Sequence, residues 1–167
     1  MRISELLSLE FDEEVKKTRA MLERVPEDKP GFSPHPKSMP LGRLAPHIAE
    51  LGGFGLTVLT EPGVDFSQRN STRLPLESAA QLVRVFDEGA AKVRAALDRI
   101  EDAAWSDRWT LSFQGKTLFA GPRFVAYRQI FLNHIVHHRA QLGVYLRLND
   151  TPVPSTYGPS ADDTLGF

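Results

Sequence analysis

The sequence contains no cysteine, which excludes disulfides, thiolate metal ligands and a cysteine nucleophile together. Any thiol chemistry must draw on a thiol from outside the chain. No sign of charge dominates either: 20 basic side chains face 21 acidic ones, so there is no general positive field of the kind that attracts a phosphate backbone. Nucleic-acid binding is not expected. No run approaches the roughly 18 consecutive apolar residues of a membrane span, and the opening stretch, acidic from Glu5 onward, lacks the apolar core of a secretory signal. The expectation is a cytoplasmic protein with no membrane contact. At 41% hydrophobic and 25% charged, the composition is that of ordinary globular chains, and 167 residues suit a single domain over 1–167.

What is present is helical periodicity in four segments. From Ser4 to Val25, Leu7, Phe11, Val15, Met21 and Leu22 recur at helical spacing. The proline-rich PEDKPGFSPHPKSMPLG that follows cannot continue a helix and reads as a long connection. A second helix is expected from Pro40 to Leu59, with Pro46 kinking it beside His47 and Gly52, Gly53 and Gly55 weakening it. A third runs from Pro75 to Asp102, with Leu82, Phe86, Val93 and Leu97 on one face. In WTLSFQGKTLF, β-formers flank Gln114-Gly115, which predicts a short two-stranded hairpin. The last helix spans Pro122 to about Leu148, and the tail after it, rich in proline, reads as an irregular strap.

Three of the five histidines fall in NHIVHH, on the last helix. Residues four apart share a helix face, so His134 and His138 can aim ring nitrogens at one ion. On a wheel of about 100° per residue, His138 lies about +40° from His134, inside the arc of Phe131, Phe124, Leu142 and Ile135. His137 lies at about −60°, on the flank. A third ligand must come from a facing helix, and His47 is the other helical histidine; His35 lies in the proline-rich connection. Three imidazoles without a thiolate match the ligand count of an open, catalytic type of site, and imidazole suits zinc, nickel, iron or copper.

The run NHIVHHRAQLGVYLR followed by PVPSTYGPSADD resembles the C-terminal signature of the DinB superfamily, and KSMPLGRLAPHIAEL resembles that family's second-helix histidine segment. The resemblance covers essentially the whole chain, with Ala140 standing where members commonly have glycine. It implies an all-α four-helix bundle of up-down-down-up connection, often a homodimer, with a divalent metal ion held by His47, His134 and His138. Zinc or nickel is the expected ion, with iron as an alternative. Relatives in this family imply a metal-dependent enzyme of thiol-linked transferase or hydrolase type, taking a low-molecular-weight thiol and a small electrophilic substrate. The competing reading is a non-catalytic, dimeric stress-response protein that binds metal or a small ligand.

Several other residues carry expectations. Glu50 follows His47 by three residues and shares its side of the helix, so it is the candidate catalytic base or ligand-orienting group. Arg139 points away from the histidines, toward a salt bridge with another helix or a partner copy. Gln141 reaches either the rim of the site or a packing hydrogen bond. Tyr127 and Tyr145 are candidates to line a pocket, and Tyr157 and Asp162 to cover its opening.

Overall fold

In a computed structural model, residues 1–68 and 73–164 are described. The chain forms α1 (Ile3–Leu22), α2 (Leu41–Thr60), β1 (Gly63–Asp65), α3 (Ala79–Arg99), β2 (Arg108–Phe113), β3 (Lys116–Pro122), α4 (Arg123–Val125) and α5 (Asn133–Leu148). A π-helical segment, Ala126–Leu132, joins α4 to α5. Backbone angles stay right-handed helical through both junctions, so the three pieces form one continuous last helix.

The fold is mostly helical with a small three-stranded sheet, one strand more than the two-stranded hairpin the sequence suggested. β2 pairs antiparallel with β3, and β1 adds to β2 in parallel, giving the order β1-β2-β3. At the turn, Gln114 and Gly115 both take positive φ, 50° and 76°, a conformation that favours glycine. α3 starts at Ala79 rather than Pro75, where the Ser78 hydroxyl caps it by accepting from the Gln81 N–H at 3.0 Å. It ends at Arg99, short of Asp102.

Pro46 lies inside α2, yet the helix runs unbroken from Leu41 to Thr60. Its first intrahelical bond is Leu44 N–H to Pro40 C=O, at 2.9 Å. A proline at position 46 therefore forfeits one hydrogen bond within the second turn, where the chain is already anchored. The glycines of α2 have a packing purpose that local propensity does not reveal. A Cβ on Gly89 of α3 would stand 2.4 Å from the Gly53 nitrogen and 2.6 Å from the Gly52 carbonyl carbon. The two helices thus touch backbone to backbone, which side chains at these positions would prevent.

The core divides into two clusters. One gathers Leu7, Phe11, Phe54, Val58, Val93, Leu97, Trp105, Tyr127, Phe131 and Ile135. The other holds Met21, Leu22, Leu41, Leu44, Ile48, Leu82, Phe86, Leu142 and Leu146. Along the last helix the change of cluster falls between Ile135 and Leu142, and His138 sits in that interval. Arg123 is buried and donates to the carbonyls of Val58 at 2.6 Å and Glu61 at 2.8 Å. It thereby caps the C-terminal end of α2, where a cation is favoured by the helix dipole.

Candidate metal centre

α2 and α5 bring His47, His134 and His138 together, with one ligand atom from each within 4.8 Å of the others. His134 Nε2 lies 2.8 Å from His138 Nε2 and 3.5 Å from His47 Nε2. For metal–nitrogen bonds of about 2.1 Å, two ligands meeting at 90° to 109° have nitrogens roughly 3.0 to 3.4 Å apart. The observed pair of distances brackets that interval. Pro46 does not turn His47 away.

The outer nitrogens of the two α5 ligands are occupied. His138 Nδ1–H faces the side-chain oxygen of Gln141 at 2.7 Å, and His134 Nδ1–H faces the Ile130 carbonyl at 3.3 Å. Donation outward at Nδ1 fixes the tautomer that leaves the Nε2 lone pair facing inward. Two inward lone pairs 2.8 Å apart repel each other, and a shared cation relieves the repulsion. The residues present therefore fit a divalent ion in geometry and in donor chemistry. Gln141 resolves into an outer partner of a ligand, and Ile130 is a carbonyl that sequence reasoning had no signal to find.

Electrostatics favour the neutral, ligating form of all three rings. Burial, followed by the proximity of His138, His134 and Arg43, pushes the His47 imidazole down to about 4. Burial, then His138, lowers His134, and the Ile130 carbonyl only partly opposes this. Burial likewise lowers His138 against the pull of Gln141. Protons compete weakly for such nitrogens, which a metal requires unprotonated.

His137 is exposed. Its ring sits edge-on to His138 with centroids 4.8 Å apart, and it does not join the cluster. His35 lies exposed in the first connection, its Nδ1 accepting from the Lys37 N–H at 3.1 Å. Glu50 is exposed, and its Oε1 accepts from the Leu74 N–H at 3.2 Å. It shares with His47 a groove of about 390 Å³ whose walls also include Met39, Arg43, Pro46 and Arg73.

Of the remaining expectations, the salt bridge of Arg139 to another helix is present, and those for Tyr127, Phe124, Tyr157 and Asp162 are corrected. Tyr127 is fully buried beside Trp105 and Phe131, and burial holds its hydroxyl far above the usual phenol range. It belongs to the core and lines no pocket described here. Phe124, read as core-facing, is 40% exposed. The wheel assumed one uniform period, and the π-helical segment between Phe124 and His134 breaks it. Tyr145 donates to the Met39 carbonyl at 2.7 Å, tying α5 to the start of α2. Arg139, 2% exposed at its side chain, pairs with Glu14 of α1 at 2.6 Å. It also donates to the Tyr157 hydroxyl at 2.9 Å, which in turn donates to Glu14 at 2.8 Å. Asp162 pairs with Arg147 and accepts from the Val153 N–H. The tail thus straps α5 to α1, and neither Tyr157 nor Asp162 lines the His47 groove.

A mostly helical chain with three histidines converging from two helices, able to hold a metal ion, defines the class of protein. The family model of the DinB superfamily matches residues 10–142, and the chain belongs to that superfamily. Among solved structures, a DinB-like protein from Bacillus cereus ATCC 10987 superposes with a TM-score of 0.67 at 20% identity, covering 89% of this chain and 94% of that one. A DinB-like protein from Bacillus subtilis gives 0.64 at 20% identity, over 87% and 92%. At these identities the likeness is one of fold. No curated protein matches the chain. Among the described residues, no helix is long and apolar enough to cross a membrane.

Proposed function

We propose that the protein is a metal-dependent enzyme of thiol-linked transferase or hydrolase type, with His47, His134 and His138 as its ligands. The observation that carries this is the convergence of three inward Nε2 atoms, two of them oriented from behind, beside an open groove. A bound divalent ion would supply Lewis acidity, lowering the pKa of a thiol or water drawn to it. The chain's own residues do the rest. Gln141 and the Ile130 carbonyl hold the rings in their ligating tautomer. Glu50, on the groove wall next to His47, is the group that accepts the proton released there.

Zinc or nickel is the ion this reading favours. The donor set contains nitrogen alone, so it suits either. The up-down-down-up order of helices, one domain over residues 1–167, a cytoplasmic setting and a homodimer complete the reading, all supported by family membership. Near-zero net charge speaks against a nucleic-acid partner.

The test is elemental analysis of untagged protein, followed by a screen of small electrophiles with several low-molecular-weight thiols on metal-loaded protein. About one ion per chain, with both metal and activity lost in His138→Ala, is the expected result. No metal retained or bound on titration would end this reading. Metal bound normally with no turnover of any electrophile would leave the non-catalytic, ligand-binding alternative in its place.

A further inference from the structure

The groove beside His47 carries more charge than metal binding needs. Arg43 and Arg73 both line it. Among the described residues, neither is paired with a carboxylate, whereas Arg19 pairs with Asp87, Arg94 with Asp12, Arg128 with Glu10 and Arg139 with Glu14. The charge of Arg43 is felt at His47 itself. The one acid in the groove, Glu50, is engaged by the Leu74 N–H. Met39, Pro46 and Leu74 supply apolar wall between these polar groups.

Two guanidiniums without a carboxylate partner among the described residues leave a positive charge in the groove that His47 lines. Such forks bind a planar oxyanion through parallel N–H···O bonds. Glu50 penalises a doubly charged phosphate in the same groove more than a singly charged carboxylate, because the repulsion scales with ligand charge. The volume, about 390 Å³, suits a small molecule.

We propose that Arg43 and Arg73 form an acid-recognition subsite, and that the molecule bound at the histidines is a small organic acid whose carboxylate lies on these two arginines. This rests on the reading of His47, His134 and His138 as metal ligands and names the chemical class of what reaches them. Arg43 and Arg73 are positioning and specificity residues in this assignment. The short apolar stretch of the ligand runs along Met39, Pro46 and Leu74.

The experiment uses full-length protein loaded with cobalt(II), whose visible spectrum changes when a thiolate joins the metal. The probes are 3-mercaptopropionate and 3-mercapto-1-propanol, which share a metal-binding head and differ at the far end. The expected result is that the acid binds about tenfold more tightly, the size of one good charge-assisted contact. In Arg43→Gln and Arg73→Gln, both retaining one cobalt per chain, the two probes should approach equal affinity. Equal affinity for both probes in the unmodified protein overturns the subsite while the metal reading stands. A preference that survives both substitutions assigns it to the charge of the ion, which also overturns the proposal. If neither probe perturbs the spectrum, both the subsite and the thiol chemistry fall. If cobalt does not bind, the metal reading fails and the subsite with it.

Discussion

Replacing Gly89 with alanine isolates the contact that sets the position of α2, and hence of His47. The added Cβ would stand 2.4 Å from the Gly53 nitrogen, 2.6 Å from the Gly52 carbonyl carbon and 2.9 Å from the Gly53 Cα. All are backbone atoms and cannot rotate away. Ordinary contact begins near 3.4 Å, so α2 and α3 must part by about 1 Å. Overpacking of this kind costs about 1 to 3 kcal/mol, and the upper end applies because no side chain can yield. Alanine's better helix propensity returns at most about 1 kcal/mol. The net loss is then about 2 kcal/mol, or a fall in Tm of roughly 4 to 8 °C for a chain of this size. Gly53→Ala is the matched control, because its Cβ would meet nothing closer than 3.8 Å and should leave stability unchanged or slightly raised. Urea and thermal unfolding of both variants decide the matter. An unaltered Tm in Gly89→Ala, or an equal loss in both, would refute the claim that these backbones touch. The parting of α2 should also weaken metal binding in Gly89→Ala, because His47 moves while His134 and His138 stay.

Three further outcomes follow from the geometry. In metal-free protein, His47, His134 and His138 all have lowered pKa values in the fold; protons therefore bind the unfolded chain first, and stability should hold above about pH 6.5 and fall as pH drops toward 4. Thermal melts across that range in chelator should show the fall, and His47→Gln should flatten it; an identical profile in that variant would remove His47 as a cause. Glu14→Gln should destabilise by about 3 to 5 kcal/mol, because it leaves the Arg139 guanidinium buried without its charge partner; Glu14→Leu combined with Arg139→Met should recover much of the loss in chemical denaturation, and no recovery would contradict the desolvation argument. Tyr127→Phe removes a buried hydroxyl that has no hydrogen-bond partner and should be neutral or stabilising by up to about 1 kcal/mol in the same assay; a clear loss would mean the hydroxyl is satisfied after all.

The parts of the site that a regular period governs were legible in the sequence. His134 and His138 are four residues apart on a helix, and the wheel separated them from His137 because helical phase is local arithmetic. Arg139 could be assigned to the far side of the same helix on the same grounds. What the sequence hid depends on partners distant along the chain. Gly52 and Gly53 read as weak helix residues, since propensity does not record that their backbone is to meet that of Gly89. The π-helical turn at Ala126–Leu132 leaves no compositional mark, and the phase error it introduces falls on Phe124. β1 is three residues long, too short to show alternation, so the third strand of the sheet went unseen. Arg123 carries no motif; its importance comes from the two carboxyl-terminal carbonyls of α2 it happens to reach.

His138 and Arg139 are consecutive, so they leave the last helix about 100° apart, one toward His47 of α2 and the other toward Glu14 of α1. The helix cannot roll about its axis to improve one of these contacts without dragging the other out of reach. Its azimuth is pinned from two sides, and the convergence of the histidine nitrogens depends on torsional stiffness as well as on side-to-side packing. A disturbance of the Tyr157 strap, which leans on the arginine side, would therefore reach the metal centre as a small rotation of its two α5 ligands, with no residue near the ion having changed.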